Sequence, residues 1–197
     1  MSTLISPTPS PTAAPRPRLW TVTEFNSLGD MGLFEGRRAM LIHGVILEWG
    51  QMNPPHAVAL GLTDDAVRTA FGPGWVVRNQ APLVFGRHLD PEPDLAIVPG
   101  RPRDYTAHPT TAALVVEIAD SSLTFDTTEK AELYAAAGIP DYWVVDVEGR
   151  RLLVFRDPAP ITAGGHAYRT QLTLGPADSV SPLVAPSASV AVADLLP

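Results

Sequence analysis

Asp94, Glu117 and Lys130 are the residues of this chain whose types and surroundings could do chemistry. Asp94 opens a short apolar run, Pro93-Asp94-Leu95-Ala96-Ile97-Val98, and Glu117 sits inside another, Ala112-Ala113-Leu114-Val115-Val116-Glu117-Ile118-Ala119. An ionised carboxylate within so apolar a strand is costly unless a cation or hydrogen-bond donors meet it. Two carboxylates about 4 Å apart repel by roughly 4 kcal/mol at the effective dielectric of a protein surface. A divalent metal turns that repulsion into binding. Lys130, in the first turns of the helix that follows, adds an ammonium on a long flexible stem. The chemistry open to such a set is metal-assisted hydrolysis of the nuclease kind. On spacing alone a second reading stays open: a buried Glu117–Lys130 ion pair ties helix to sheet, and Asp94 caps a turn after Pro93.

Local patterns predict the elements that must carry these groups. Alternation along a strand sets Val115, Glu117 and Ala119 on one face. Asp126 and Glu129 read as a helix start with Asp126 as N-cap; the helix runs to Ala137, with Gly138 as its C-terminal cap. On it Lys130 shares a face with Leu133, Tyr134 and Ala137, which should look at the sheet. Upstream, Thr21-Val22-Thr23-Glu24 is a capping box that opens a short helix through Leu28. Met40-Leu41-Ile42 and Val45-Ile46-Leu47 flank His43-Gly44, the pattern of a hairpin with a two-residue turn that sets Met40 opposite Leu47. A helix from about His56 to Phe71 places His56, Leu60, Thr63 and Val67 on one face. Trp75 to Phe85 reads as a strand bent at Pro82. Asp141 to Val147, Arg151 to Arg156 and Tyr168 to Leu174 complete the sheet. Tyr142 and Trp143 alternate, so one belongs to the core and the other to an interface. The predicted class is α+β, a mixed and mostly antiparallel sheet flanked by helices.

Composition narrows the setting. At 197 residues the chain suits one domain over residues 19–197, behind a proline-rich arm of residues 1–18 that cannot bury enough apolar surface to order itself. No run reaches the length of a membrane span, and the start of the chain lacks an apolar signal core, so a cytoplasmic home is expected. Zero cysteines remove disulfides and thiolate zinc sites. The net charge of −7 sets 14 Lys and Arg against 21 acids. Phosphate binding draws on Lys and Arg, so any basic surface must be local, around Arg16 and Arg18, Arg37 and Arg38, or Arg101 and Arg103. The histidines His43, His56, His88, His108 and His166 show no metal-ligand spacing. There is no phosphate-binding glycine loop and no nucleophilic-serine elbow.

From Trp20 onward the sequence resembles the Uma-type "putative restriction endonuclease" family, a branch of the PD-(D/E)XK nuclease superfamily. The resemblance rests on Pro93-Asp94-Leu95-Ala96-Ile97-Val98, on Val115 to Leu123, and on Asp126 followed by Lys130. Its most specific stretch is Tyr134-Ala135-Ala136-Ala137-Gly138-Ile139-Pro140-Asp141-Tyr142-Trp143-Val144-Val145-Asp146. It implies a restriction-endonuclease-like core and a DNA endonuclease whose Asp94 and Glu117 hold Mg²⁺ or Mn²⁺. Superfamily members commonly carry a lysine two residues after the glutamate; here that slot is Ala119, and the resemblance assigns the role to the displaced Lys130, which would orient the attacking water or neutralise developing charge. It also gives His56 and Gln80 supporting places, His56 as a proton carrier and Gln80 near the attacking water; the bland readings are a helix-start histidine and a strand-to-strand hydrogen bond. A homodimer in which two sites face two strands is compatible with this reading. One departure stands out. Family members usually place a glutamate where this chain has Met40, and Glu48 falls on the other face of the hairpin. That departure and the acidic charge favour an alternative, a degenerate nuclease fold used as a binding or assembly module. A third reading is hydrolysis of another phosphodiester or a nucleotide.

Overall fold

The computed structural model describes residues 15–50, 52–162 and 164–197. Most of the predicted proline arm therefore lies outside the described residues. The fold is α+β, as the patterning implies. Its centre is a six-stranded sheet ordered β3-β4-β5-β6-β7-β8, with β3 Trp75–Asn79, β4 Leu95–Pro99, β5 Leu114–Ala119, β6 Asp141–Asp146, β7 Arg151–Pro160 and β8 His166–Leu174. Neighbours run antiparallel except β5 and β6. A parallel pair needs a crossover, and α3 (Leu123–Thr127) and α4 (Glu129–Ala136) supply it.

Both faces of the sheet are covered. On one, α2 (Pro54–Phe71) and the C-terminal segment pack Leu60, Val67, Phe71, Val192 and Leu195 against Ile97, Val116, Ile118 and Trp143. On the other, α4 and a separate hairpin, β1 (Arg38–Ile42) with β2 (Val45–Trp49), meet Val115, Ala119, Tyr142 and Val144. All six residues of β5 and of β6 are buried, the usual consequence of covering a strand on both sides. Tyr142 and Trp143 are therefore both core, each 0% exposed. The expectation that one of them faces an interface is corrected: the two layers leave neither side of β6 open.

Most local signals hold. Thr21 and Glu24 form the capping box that opens α1, Val22–Asp30. His43 and Gly44 turn the hairpin with φ of 50° and 76°, the left-handed pair such a turn needs. A Cβ on Gly44 would sit 2.6 Å from that of Leu19, so the turn cannot take a larger residue there. α2 starts at Pro54 rather than His56, because Asn53 caps it by accepting the His56 N–H at 3.1 Å. The strand predicted to reach Phe85 stops at Asn79. Gln80 adopts φ 45°, a left-handed conformation that breaks the extended run before Pro82 is reached.

Among the described residues no helix is long and apolar enough to cross a membrane.

Candidate active site

Register brings the two carboxylates together. Leu95 pairs with Val116 and Ala96 with Val115, so one step further sets Asp94 opposite Glu117. Each acid is then tied to the other's strand. The Ile118 N–H donates to Asp94 Oδ2 at 2.9 Å, and the Asp94 N–H donates to Glu117 Oε2 at 3.4 Å. Two side chains reach the other oxygen of Asp94. His56 Nε2, at the start of α2, lies 3.2 Å from Oδ1, and Gln80 Nε2 donates to it at 3.3 Å. The Gln80 backbone N–H also donates to the Asp94 carbonyl, at 2.9 Å.

Lys130 arrives from the crossover. Its Nζ is 2.8 Å from Glu117 Oε2 and 3.1 Å from Asp126 Oδ1. The Tyr134 hydroxyl, one helical turn further on, donates to Glu117 Oε1 at 2.8 Å. Asp126 accepts from the Ser122 hydroxyl as well. The predicted role of Asp126 as N-cap is thereby corrected. It lies inside α3, 1% exposed, and the helix is interrupted at Thr128 before α4 begins. A helix cap sits at the solvent-facing end of a helix, whereas this carboxylate is spent on a buried ammonium.

The charges shape one another. Burial pushes the Glu117 carboxyl up, to about 7, and the nearby charges of Asp126 and Asp94 add to that against the pull of Lys130. Burial alone would lower the Lys130 pKa, yet the Glu117 and Asp126 carboxylates outweigh it, so the ammonium is held above its ordinary range. Burial works to raise Asp94, but the hydrogen bond and charge of His56, with the Ile118 N–H and Lys130, bring the net shift downward. For His56, burial opposes the charged form, and the hydrogen bond and charge of Asp94 win, raising its pKa.

These groups form the floor of a pocket of about 430 Å³ roofed by the β1–β2 hairpin. Glu48, Glu92, Asp94, Glu117, Asp120 and Asp126 line it together with Arg38 and Lys130, so acids outnumber permanent cations in the lining. The expected local basic surfaces are largely consumed: Arg18 pairs with Glu24, Arg37 with Glu48, Arg38 with Glu92 and Arg101 with Asp104. Met40 is buried in the pocket wall and stands opposite Leu47, as the turn requires. Glu48 pairs in register with Ala39 and bonds Arg37 at 3.0 Å, so it does not replace a missing acid.

All five residues singled out in the sequence thus converge: Asp94, Glu117 and Lys130 directly, with His56 and Gln80 on Asp94. Sequence reasoning missed Asp126 and Tyr134 as members of the cluster. The signal was present in the spacing, since Asp126, Lys130 and Tyr134 recur every four residues, the interval that brings helical side chains onto one face.

The family model described as "Uma2: Putative restriction endonuclease" matches residues 22–193. The chain belongs to the Uma2 family. No curated protein matches it. Among solved structures, the Uma2 chain is similar to "a putative nuclease belonging to DUF820" from Anabaena variabilis, with a TM-score of 0.67 at 15% identity over 89% of this chain and 96% of that one. At that identity the likeness shows the fold alone. The type IIG restriction endonuclease BpuSI aligns with a TM-score of 0.35 at 18% identity, over 52% of this chain and 11% of that one, too little to carry an argument.

The donor set fits a hard divalent cation. Asp94 and Glu117 offer carboxylate oxygens, and Mg²⁺ is commonly held by one or two carboxylates with water and substrate completing the shell. Burial and like charge already hold Glu117 above its ordinary range, a strain that a cation would relieve. Asp126 Oδ1 is buried and makes no hydrogen bond, only its ion-pair contact with Lys130. Among the described residues, no three His, Asp or Glu side chains form a ready-made metal cluster.

Proposed function

We propose that this Uma2 protein is a metal-dependent endonuclease that hydrolyses DNA phosphodiester bonds in the pocket beneath the hairpin. The observation that carries this reading is the convergence of Asp94, Glu117 and Lys130, far apart in sequence, on one pocket floor. Asp94 and Glu117 would hold Mg²⁺ or Mn²⁺, which supplies positive charge for the phosphate and makes an attacking water more acidic. The rest falls to the chain's own groups. Hydrolysis adds water across one P–O bond: the hydroxyl stays on phosphorus, and a proton reaches the departing sugar oxygen. The Lys130 ammonium, kept charged by two carboxylates, is the fixed positive group beside the reacting phosphate. His56 and Gln80 hold Asp94 in one orientation, and Tyr134 does the same for Glu117.

The test is incubation of purified protein with supercoiled and single-stranded DNA in Mg²⁺ or Mn²⁺. Cleavage that disappears in Asp94→Ala supports the reading; no cleavage by wild type, or equal cleavage by the variant, removes it.

A second reading is favoured by Met40, which lines the pocket where the family resemblance leads one to expect a glutamate. In it the fold is a binding or assembly module without catalysis. It requires partner association that survives a chelator and Glu117→Ala.

A further inference from the structure

Asp94 and Glu117 line a pocket that they share with the hairpin residues Arg38, Met40, Leu47, Glu48 and Trp49. The side chains of Asp94 and Lys130 are each 10% exposed and that of Glu117 is 2% exposed. The pocket above them, at about 430 Å³, has the size of a small-ligand site. An intact B-form duplex is poorly matched to it. Its major groove alone is about 12 Å wide, and it carries a phosphate charge roughly every 1.7 Å of axis. The lining holds more acids than bases, and an acidic wall repels such a charge density.

An unpaired nucleotide meets a different wall. Every base has an uncharged π face that stacks on aromatic side chains. The pocket offers Trp49 at the end of β2 and Phe125 from α3, with Leu47 and Met52 between polar groups. Trp49 is half-buried, and the Arg38 guanidinium lies 4.9 Å from its ring centroid while bonding Glu92 at 2.7 Å. That cation lies within cation–π range of the ring, and both line the pocket. Only one phosphate then has to enter among the acids.

From this, and resting on the reading of the site as a phosphodiester hydrolase, we propose that the pocket takes an unpaired nucleotide of a DNA strand, its base lodged against Trp49 and its phosphodiester at Asp94 and Glu117. Single strands, bubbles and flaps are then substrates, and an intact duplex is not. Trp49 is a specificity-determining residue and plays no part in the bond-breaking step.

The experiment uses one labelled oligonucleotide of mixed sequence in three forms: alone, annealed to its full complement, and within a duplex carrying an internal bubble. Binding is followed by fluorescence anisotropy in Ca²⁺ and cleavage in Mn²⁺. The single strand and the bubble are expected to bind at least ten-fold more tightly than the duplex. Cuts should fall only at unpaired positions. Trp49→Ala should lose roughly ten-fold in single-strand affinity, the scale of one base–aromatic stack, and Trp49→Phe should recover most of it. Equal binding or cleavage of the duplex overturns the proposal, as does binding to none of the three. So does an unchanged affinity in a Trp49→Ala protein that retains its circular dichroism. The wild-type comparison needs no variant, so a Trp49→Ala chain that fails to fold leaves the test intact. If the single strand binds selectively through Trp49 but nothing is cut, the lodging of an unpaired nucleotide holds, while the hydrolase reading falls and with it the claim that such strands are substrates.

Discussion

Asp126 and Lys130 stand four residues apart, and the 3.1 Å between their charged atoms gives the ammonium a second carboxylate besides Glu117. A lysine this deep is costly when isolated and stable only when paired. The two acids keep it charged, and it in turn tempers their mutual repulsion.

Removing the ammonium should therefore expose that repulsion. Lys130→Met leaves Glu117 and Asp126 buried without their cation, and breaking a buried pair costs on the order of 3–5 kcal/mol. Protonation of Glu117 softens the loss, so about 2–4 kcal/mol is expected in urea unfolding at neutral pH. The double change Lys130→Met with Glu117→Gln should recover part of it. An additive double mutant would contradict the coupling.

Glu117 sets the sign of a pH effect. Its carboxyl is pushed up to about 7 in the folded chain, from 4.5. Between those values the folded state binds more protons than the unfolded one, so stability falls as pH rises from about 4.5 to 7. Glu117→Gln should flatten that fall. A divalent cation that binds here must displace the proton, so Mn²⁺ should raise the unfolding temperature more at pH 8 than at pH 5. Thermal scans with Mn²⁺ and with a chelator check both statements.

His56 should titrate above an ordinary histidine, because the Asp94 hydrogen bond and charge outweigh its burial. The stability it contributes is complete below its unfolded pKa of about 6.5 and is lost as pH rises through the folded value. NMR titration of the His56 ring should show the raised pKa, and Asp94→Asn should bring it down. A ring that titrates identically in both proteins would break the proposed link.

Met40 offers a direct probe of what the pocket lacks. It is 6% exposed in the pocket wall. Met40→Glu adds a seventh carboxylate to that lining, so the variant should unfold earlier than wild type in chelator, by about 1–3 kcal/mol. With Mn²⁺ the deficit should shrink or reverse, and calorimetric titration should show tighter cation binding. A variant whose stability ignores Mn²⁺ would show that position 40 does not address the cation.

Much of this arrangement was legible in the residues themselves. The alternation around Glu117, the Thr21–Glu24 box and the His43-Gly44 turn are local signals, and each produced its element. The partner of Glu117 was readable because a lysine on an otherwise apolar helix face requires an acid. Asp126 was misread because an aspartate near a helix start satisfies the capping pattern equally well; only the break at Thr128 turns it inward. The early stop of the strand at Asn79 depends on a left-handed glutamine, which composition does not announce. The burial of both Tyr142 and Trp143 depends on layers supplied by distant segments, the C-terminal stretch and α4, and no window around them contains that information.

The hairpin forms a two-stranded sheet of its own, joined to the rest through the Leu41–Asp90 bridge, the Gly44 contacts with Trp20 and His88, and the Arg38–Glu92 pair. Ceiling and hearth of the chamber thus come from separate stretches of chain, residues 38–49 above and 94–130 below. Met40 and Ile42 of the upper stretch share a core layer with Val115 and Ala119, the strand neighbours of Glu117, so drift there is confined to side chains such as Trp49 that line the enclosure at the edge of that layer.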